Sequence, residues 1–345
     1  MLKIKHPIGR TAAFGSALLL LASASAASAD TAVSLGGYLN AGTPSSFNIS
    51  ALQSFAASHS SAVQTVTVGG DVYTGVSLYS YLNSYLATDP TVPKNDILRD
   101  YVVATGSGGN SSVYALGNLS SSGFGITNDI IAYSDSNGPL AGASLIASDG
   151  ANVANLTSLN VGHVAYAGAG PGGVATSFTV NGAVTNPGTY TASNLPGNLA
   201  TQVVTVSTPP VTGQSFTGVS LWNLLVQAGI STNPANYLNE YVIATGTDNY
   251  QSIFSLEEIA PSFGNQSDLL AYATGTGASL GTSGFARIVI PGDAKAGRYV
   301  SNLDSLTVVS VAAVPVPASA VLMLSGLFAV GFSGIRRRLS GVITA

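Results

Sequence analysis

The chain is predicted to fold as two tandem copies of a strand-rich domain carrying short helices, on three observations. First, blocks recur in one order: Thr74-Gly75-Val76-Ser77-Leu78 as Thr217-Gly218-Val219-Ser220-Leu221, Tyr101-Val102-Val103-Ala104-Thr105-Gly106 as Tyr241-Val242-Ile243-Ala244-Thr245-Gly246, and Asp129-Ile130-Ile131-Ala132-Tyr133 as Asp268-Leu269-Leu270-Ala271-Tyr272. The offsets, 143, 140 and 139, drift slowly, which places small deletions in the loops between the blocks. Second, β-branched runs such as 64–68 and 202–206 have the composition of strands. Third, in each copy a serine precedes apolar residues at helical spacing.

Both ends carry signals of a different kind. Lys3, Lys5 and Arg10 precede an apolar run over 12–22 and small residues ending in Ala27-Ser28-Ala29. This order predicts a secretory signal peptide over 1–29, cleaved after Ala29, with Ala27 and Ala29 forming the A-x-A site. At the other end, Val314-Pro315-Val316-Pro317 is followed by uncharged sequence over 318–335 and then Arg336-Arg337-Arg338. Eighteen residues of helix, about 1.5 Å each, are just long enough for a hydrocarbon core, with the arginines held on the cytoplasmic side. A transmembrane helix is expected there. The body between divides into repeat 1 (30–165), a Gly- and Ala-rich linker (166–175) and repeat 2 (176–313).

Within each repeat the elements follow in the same series. Runs 64–68 and 202–206 are strands. Ser77 and Ser220 then stand at helix N-caps, where a hydroxyl accepts from an orphan amide, and Gly229 is placed to end the second helix in the left-handed region. Leu78, Leu82 and Leu86 in the first copy, and Leu221, Leu224, Leu225 and Ala228 in the second, form the buried faces. The Tyr-Val-Val/Ile-Ala-Thr-Gly blocks are buried strands ending at a glycine, and 156–161 and 303–311 are the last strands of their repeats. Arg287-Ile288-Val289-Ile290-Pro291-Gly292 is sharp only in the second copy, and its counterpart over 144–150 has lost the pattern, so repeat 2 is expected to be the more regular. Leu78 with Leu221, Val103 with Ile243, Ala132 with Ala271 and Leu159 with Leu306 should each be buried in the core of their own repeat.

Charge restricts the function classes. Six of the eleven basic residues lie in the terminal signals, so the body carries five basic against fifteen acidic side chains, a net charge of −10. Such a body has no basic face for nucleic acid. The chain has no cysteine, hence neither disulfides nor thiolate ligands.

Few residues have the pattern of a chemical site. Ser255-Leu256-Glu257-Glu258 fits a capping box better than an acid/base pair. His59 and His163 have no second ligand at metal-binding spacing. Asp135-Ser136-Asn137-Gly138 resembles part of a calcium loop but lacks the closing glutamate, and Asn137-Gly138 predicts a tight turn instead. Trp222, Tyr79, Tyr250 and Tyr272 could line a sugar-binding face, although the pattern around Trp222 favours the core. No catalytic and no metal-binding residue is assigned.

Two resemblances add to this reading. The order of Pro315, Pro317, short span and Arg336, Arg337, Arg338 resembles the PEP-CTERM sorting signal, with Val316 where that motif has glutamate. The resemblance implies a transient inner-membrane anchor cut by an exosortase-type protease after signal peptidase has acted, with delivery to the cell surface or an extracellular matrix of polysaccharide. Residues 217–308 resemble the molybdopterin-binding oxidoreductase domain of the sulfite oxidase type, through Gly218-Val219-Ser220-Leu221-Trp222-Asn223-Leu224-Leu225, Asp248-Asn249-Tyr250, Phe254-Ser255-Leu256-Glu257-Glu258, Leu269-Leu270-Ala271-Tyr272, Arg287 to Gly292 and Arg298-Tyr299-Val300. That resemblance implies an α+β fold with mixed sheets in each repeat and, were the cofactor kept, Arg287 or Arg298 near its phosphate. The family's molybdenum ligand is a cysteine, which this chain lacks. The expectation is an exported, non-enzymatic surface or matrix protein without cofactor, the alternatives being a molybdopterin-dependent surface oxidoreductase and a glycan or small-molecule binding module.

Overall fold

A computed structural model of the chain describes residues 31–119, 123–195 and 197–311. The expected signal peptide with Ala27 and Ala29, and the sorting signal with Pro315, Pro317, Arg336, Arg337, Arg338 and the helix over 318–335, lie outside the described residues. Among the described residues no helix is long and apolar enough to cross a membrane.

Repeat 1 runs β1 (Val33–Gly37), β2 (Ser46–Phe47), α1 (Ile49–Ser58), β3 (Val63–Val68), β4 (Asp71–Ser77), α2 (Leu78–Asn83), β5 (Asp100–Gly106), β6 (Ser111–Ala115), β7 (Ile130–Asp135), β8 (Gly138–Ile146) and β9 (Leu156–His163). Repeat 2 runs β10 (Ser177–Gly182), β11 (Gly188–Thr191), β12 (Thr201–Thr205), β13 (Ser215–Ser220), α3 (Leu221–Ala228), α4 (Pro234–Tyr237), β14 (Glu240–Gly246), β15 (Gln251–Ser255), α5 (Leu256–Ile259), β16 (Leu269–Thr274), β17 (Arg287–Val289) and β18 (Leu303–Ser310). The sheets have orders β2-β1-β9-β5-β6 and β3-β4-β7-β8 in the first copy, and β11-β10-β18-β14-β15 and β12-β13-β16-β17 in the second. In each five-stranded sheet one pair is parallel, β1 with β9 and β10 with β18, while the other pairings are antiparallel. The fold is therefore the expected pair of mixed-sheet α+β copies, and every strand has a topological counterpart.

The recurring Thr-Gly-Val-Ser-Leu block has a physical reason at each position. The glycine sits at a register shift where the strand meets its antiparallel neighbour, between Thr74 and Gly75 and again between Thr217 and Gly218. A Cβ on Gly75 would overlap the Ile131 carbonyl, and one on Gly218 the Leu270 carbonyl. The serine then caps the helix: Ser80 N donates to Ser77 Oγ at 3.2 Å and Asn223 N to Ser220 Oγ at 3.3 Å. Leu78 and Leu221, each the first residue of its helix, are fully buried. Gly229 ends α3 at φ +91. Helix α2 stops at Asn83, one turn earlier than expected, and Leu86 instead bridges to Leu39.

Two expectations fail. Strand β8 spans nine residues where β17 spans three, although only the second copy keeps the sharp sequence. Ladder hydrogen bonds come from the backbone, so the strand outlives its side-chain pattern, and the two-residue turn after Asp135 lets β8 pair from its first residue. Val103 and Ile243 do not point into the core of their own repeat. Strand residues alternate faces, so Val102 and Ala104, with Val242 and Ala244, take the core side. Val103 and the half-buried Ile243 pack in a separate cluster with Val113, Ala115, Tyr241 and Ile253, drawn from both repeats. Ala132, Ala271, Leu159 and Leu306 are fully buried as expected.

That shared cluster is where the copies meet. Tyr101 and Tyr241, counterparts in sequence, pack ring on ring at 4.4 Å. Val113 N donates to Leu238 O at 2.8 Å, and Ser111 Oγ donates to Asn239 Oδ1 at 2.5 Å. A residue touching its own counterpart is the signature of a two-fold contact, here within one chain.

Candidate binding cleft and the buried charges behind it

Around this pseudo-two-fold axis each repeat sends a short turn into the other. Helix α5 packs on β6, and the turn Leu116–Asn118 packs on β15. Glu257 and Glu258 lie on α5, and their counterparts are Gly117 and Asn118. The capping box expected at Ser255 is not formed: Ser255 Oγ donates to Glu257 Oε1 at 3.2 Å, and Glu258 is turned away to Arg298. Helix α5 has only four residues, and a buried guanidinium is a stronger partner for Glu258 than a backbone amide.

Arg298 has no exposed surface. Its Nε and Nη2 donate to Asp293 Oδ2 and Oδ1 at 2.9 and 2.7 Å, Nη1 to Glu258 Oε1 at 2.9 Å, and Nη2 also to Asn118 Oδ1 of the other repeat at 3.1 Å. Burial works against its charge, but Glu258 and Asp293 outweigh it and raise its pKa. Three acids share this one cation. Asp293 is held by two hydrogen bonds, and burial raises the pKa of all three, of Glu258 well above the usual range and of Asp268 up to about 7, against the pull of Arg298. Both oxygens of Asp268 lack a hydrogen-bond partner among the described residues. The counterpart in repeat 1 explains why: Asp129 Oδ1 accepts from Ser148 N at 3.2 Å, and the strand register puts Pro291, which has no N–H, in the place of Ser148.

On the other side of the axis Glu257 reaches into repeat 1. Its carboxyl faces that of Asp149, close to Asp129 and Tyr114, and among the described residues no basic side chain pairs with it. Burial first, then Asp149, raises the Glu257 pKa well above its ordinary value, and burial does the same for Asp129.

Beside these charges the repeats leave an open cleft of two adjoining cavities, about 260 and 410 Å³, both lined by Lys94, Asn95, Asp248 and Tyr250. The walls are fixed by local chemistry. Asp89 Oδ1 accepts from Thr91 N and Oγ1 at 2.9 and 2.6 Å, and Asp89 N donates to Asp96 Oδ2 at 2.8 Å, closing the loop that carries Lys94 and Asn95. Asn95 and Asn249 adopt the left-handed region at φ 57 and 62, which asparagine tolerates better than most residues. Asn95 Nδ2 donates to the Tyr250 hydroxyl at 2.9 Å, and that hydroxyl donates to Gly297 O. The expected linker is laid along the same wall: Gly170 N and Gly172 N donate to Asp248 O and Thr247 O at 3.0 Å each, and Asn249 Nδ2 to Gly168 O at 2.9 Å.

The remaining expected residues are scattered. Of the aromatic set only Tyr250 lines this cleft. Trp222 packs edge-on against Tyr237 at 5.3 Å and borders a separate 200 Å³ cavity, Tyr272 hydrogen-bonds Thr201 at 3.1 Å, and Tyr79 packs on the repeat 1 core. His59 stacks on Phe55 at 4.1 Å. Asp135 Oδ1 accepts from Asn137 N at 2.7 Å in the turn between β7 and β8, as the tight-turn reading expects. Sequence spacing missed the neighbours of His163, whose Nδ1 lies 2.7 Å from Asp100 Oδ1, on the adjacent strand and 63 residues away. Burial pushes Asp100 up to about 6, with the His163 hydrogen bond opposing. His163 Nε2 is buried without a hydrogen-bond partner and faces Asp89 at 3.8 Å rather than a hydroxyl, so the pair does not activate a nucleophile.

The residues named for a molybdopterin do not fit that group. Arg298 is enclosed and occupied by Asp293 and Glu258. Arg287 lies between the rings of Phe216 and Tyr299, at 5.4 and 5.7 Å. With no cysteine in the chain, no thiolate can ligate a metal there. Among the described residues no cluster of His, Cys, Asp or Glu has metal-binding geometry.

No family model matches the chain, and no curated protein matches it. Among solved structures it has a distant likeness to the sulfane dehydrogenase SoxCD from Paracoccus pantotrophus, at 19% identity and a TM-score of 0.30, over 39% of this chain and 38% of that one. The chain thus spans well under half the length of that neighbour, and the likeness carries no argument about activity.

Proposed function

We propose that the chain is an exported, non-enzymatic protein of the cell surface or extracellular matrix whose body binds saccharide in the cleft between its repeats. The observation that carries the reading is the cleft itself. Its size is that of a small-ligand site, its walls are tied by hydrogen bonds before any ligand arrives, and its lining of tyrosine, asparagine and backbone carbonyls suits hydroxyl groups. Export rests on the basic start and Ala27-Ser28-Ala29. Sorting rests on Pro315, Pro317, the uncharged span and Arg336, Arg337 and Arg338, with signal peptidase and an exosortase-type protease as processing partners. The molybdopterin alternative is set aside because the residues required to hold it are absent or already occupied.

Fractionation of cells with and without the exosortase tests the sorting. The mature body should appear at the surface or in the matrix only when the protease is present, and a cytoplasmic product with Met1 intact would overturn the reading. Metal analysis after expression in a cofactor-competent host tests the alternative, and stoichiometric molybdenum would revive it.

A further inference from the structure

We propose that the cleft selects a carboxylate-bearing saccharide, its carboxylate at Lys94 and its hydroxyls on the amide and carbonyl groups around it. This rests on the saccharide reading above and adds a charge to the ligand.

The argument begins with the scarcity of cations. Between the terminal signals the chain has five basic side chains against fifteen acids. Arg298 and Arg287 are committed to internal contacts, the one to carboxylates and the other to aromatic rings. Two of the remaining three, Lys94 and Arg99, line one and the same cavity. Arg99 is buried, donates through Nε and Nη2 to the carbonyls of Val164 and Ala165 at 2.8 and 2.6 Å, and has Asp96, Asp89 and Asp100 close enough to offset its charge. Lys94 differs. It is exposed, lies 5.1 Å over the Tyr250 ring, and makes no ion pair among the described residues. The acid that lines the cleft with it, Asp248, already accepts the Tyr250 N–H at 3.0 Å. In a body of net charge −10, an exposed ammonium without an ion pair among the described residues, lining both cavities, attracts an anion into the cleft.

The two cavities divide the rest of the ligand. Val92, Pro93 and Ala169 give the smaller one an apolar strip for the C–H face of a sugar ring. The larger one is lined by Ser301, Thr247 and Asn302; Thr247 Oγ1 and Asn302 Nδ2 already donate to Gly173 O and Thr282 O at 2.9 and 3.0 Å, and their remaining hydrogen-bonding positions face hydroxyls of the ligand. A simple anion would fill neither, and a neutral sugar would leave Lys94 unused.

Calorimetric titration of the full chain with three probes tests this: a glucuronate-containing disaccharide, cellobiose and acetate. The glucuronate disaccharide should bind most tightly, and Lys94→Gln should weaken it about tenfold and bring its affinity close to that of cellobiose for the same variant. Lys295→Gln, which removes the same charge from an exposed lysine that does not line either cavity, should have no effect. Equal affinity for cellobiose and the glucuronate disaccharide, or an equal loss in Lys295→Gln, would overturn the charge assignment and leave the saccharide reading standing. Acetate binding as tightly as the disaccharide would overturn the saccharide reading instead, and no binding by any probe would remove both.

Discussion

The two repeats bury the same set of backbone positions with opposite electrostatics. In repeat 2 the site holds Arg298 among Glu258, Asp293 and Asp268, and Gly117 from repeat 1 leaves it room: a Cβ on Gly117 would stand 3.3 Å from Arg298 Cδ. In repeat 1 the corresponding site holds Asp129 and Asp149 with Glu257 from repeat 2, and protons take the place of a cation. The difference teaches that one backbone accommodates either a buried cation among carboxylates or carboxyls, Glu257 and Asp129, whose burial favours the protonated form. Only the first depends on a single cationic side chain.

The largest expected effect tests the ion pair. Arg298→Met should cost about 3–5 kcal/mol in chemical denaturation, because it strands buried carboxylates. Adding Asp293→Asn and Glu258→Gln to that variant should recover most of the loss, and a triple variant as unstable as the single one would show that packing dominates. Next, Gly75→Ala and Gly218→Ala should each destabilise by roughly 2 kcal/mol or more, to similar extents, since each Cβ would meet a strand carbonyl. A large inequality would break the equivalence of the repeats.

Both buried sites, with Asp100 beside His163, predict a pH dependence. The folded pKa values of Glu257, Asp129 and Glu258 lie above those of an unfolded chain, with Asp268 at about 7 and Asp100 at about 6. The folded state therefore holds more protons than the unfolded one, and stability, full below about pH 4, is lost as pH rises through 6–7. The melting temperature should fall by on the order of 5 °C between about pH 5 and pH 8. Glu257→Gln, which needs no added proton, should flatten that slope, and an unchanged slope would place its origin in the other raised carboxyls, Asp129, Glu258, Asp268 and Asp100. The smallest effect is at the caps: Ser77→Ala and Ser220→Ala should each cost about 1 kcal/mol.

The fold was largely legible because its constraints are local. A glycine at a bulge, a serine at an N-cap and a left-handed Gly229 each leave a mark within a few residues, and duplication printed the bulge and the cap twice. The site was not legible, because its members meet only through topology. Lys94, Asn95 and Tyr250 come from different repeats, and Asp100 meets His163 only once β5 pairs with β9. Glu257 and Glu258 misled for a related reason: adjacent in sequence, they serve opposite sides of the pseudo-two-fold axis. Arg287 and Arg298 were named through the resemblance to a molybdopterin-binding domain, which did not reveal that Arg298 is enclosed by carboxylates and Arg287 by aromatic rings.

The ring contact between Tyr101 and Tyr241 has a consequence for how such a molecule can vary. Were these two units separate copies of one chain, every substitution at their meeting face would appear twice, and a glutamate at the tip of one turn would require a glutamate at the tip of the other. Covalent joining removes that restriction. It also supplies a high local concentration of each half for the other, so the face need not be strong enough to assemble two free molecules. Glycine at one tip and glutamate at the other is an arrangement open to a tethered pair and closed to a symmetric one.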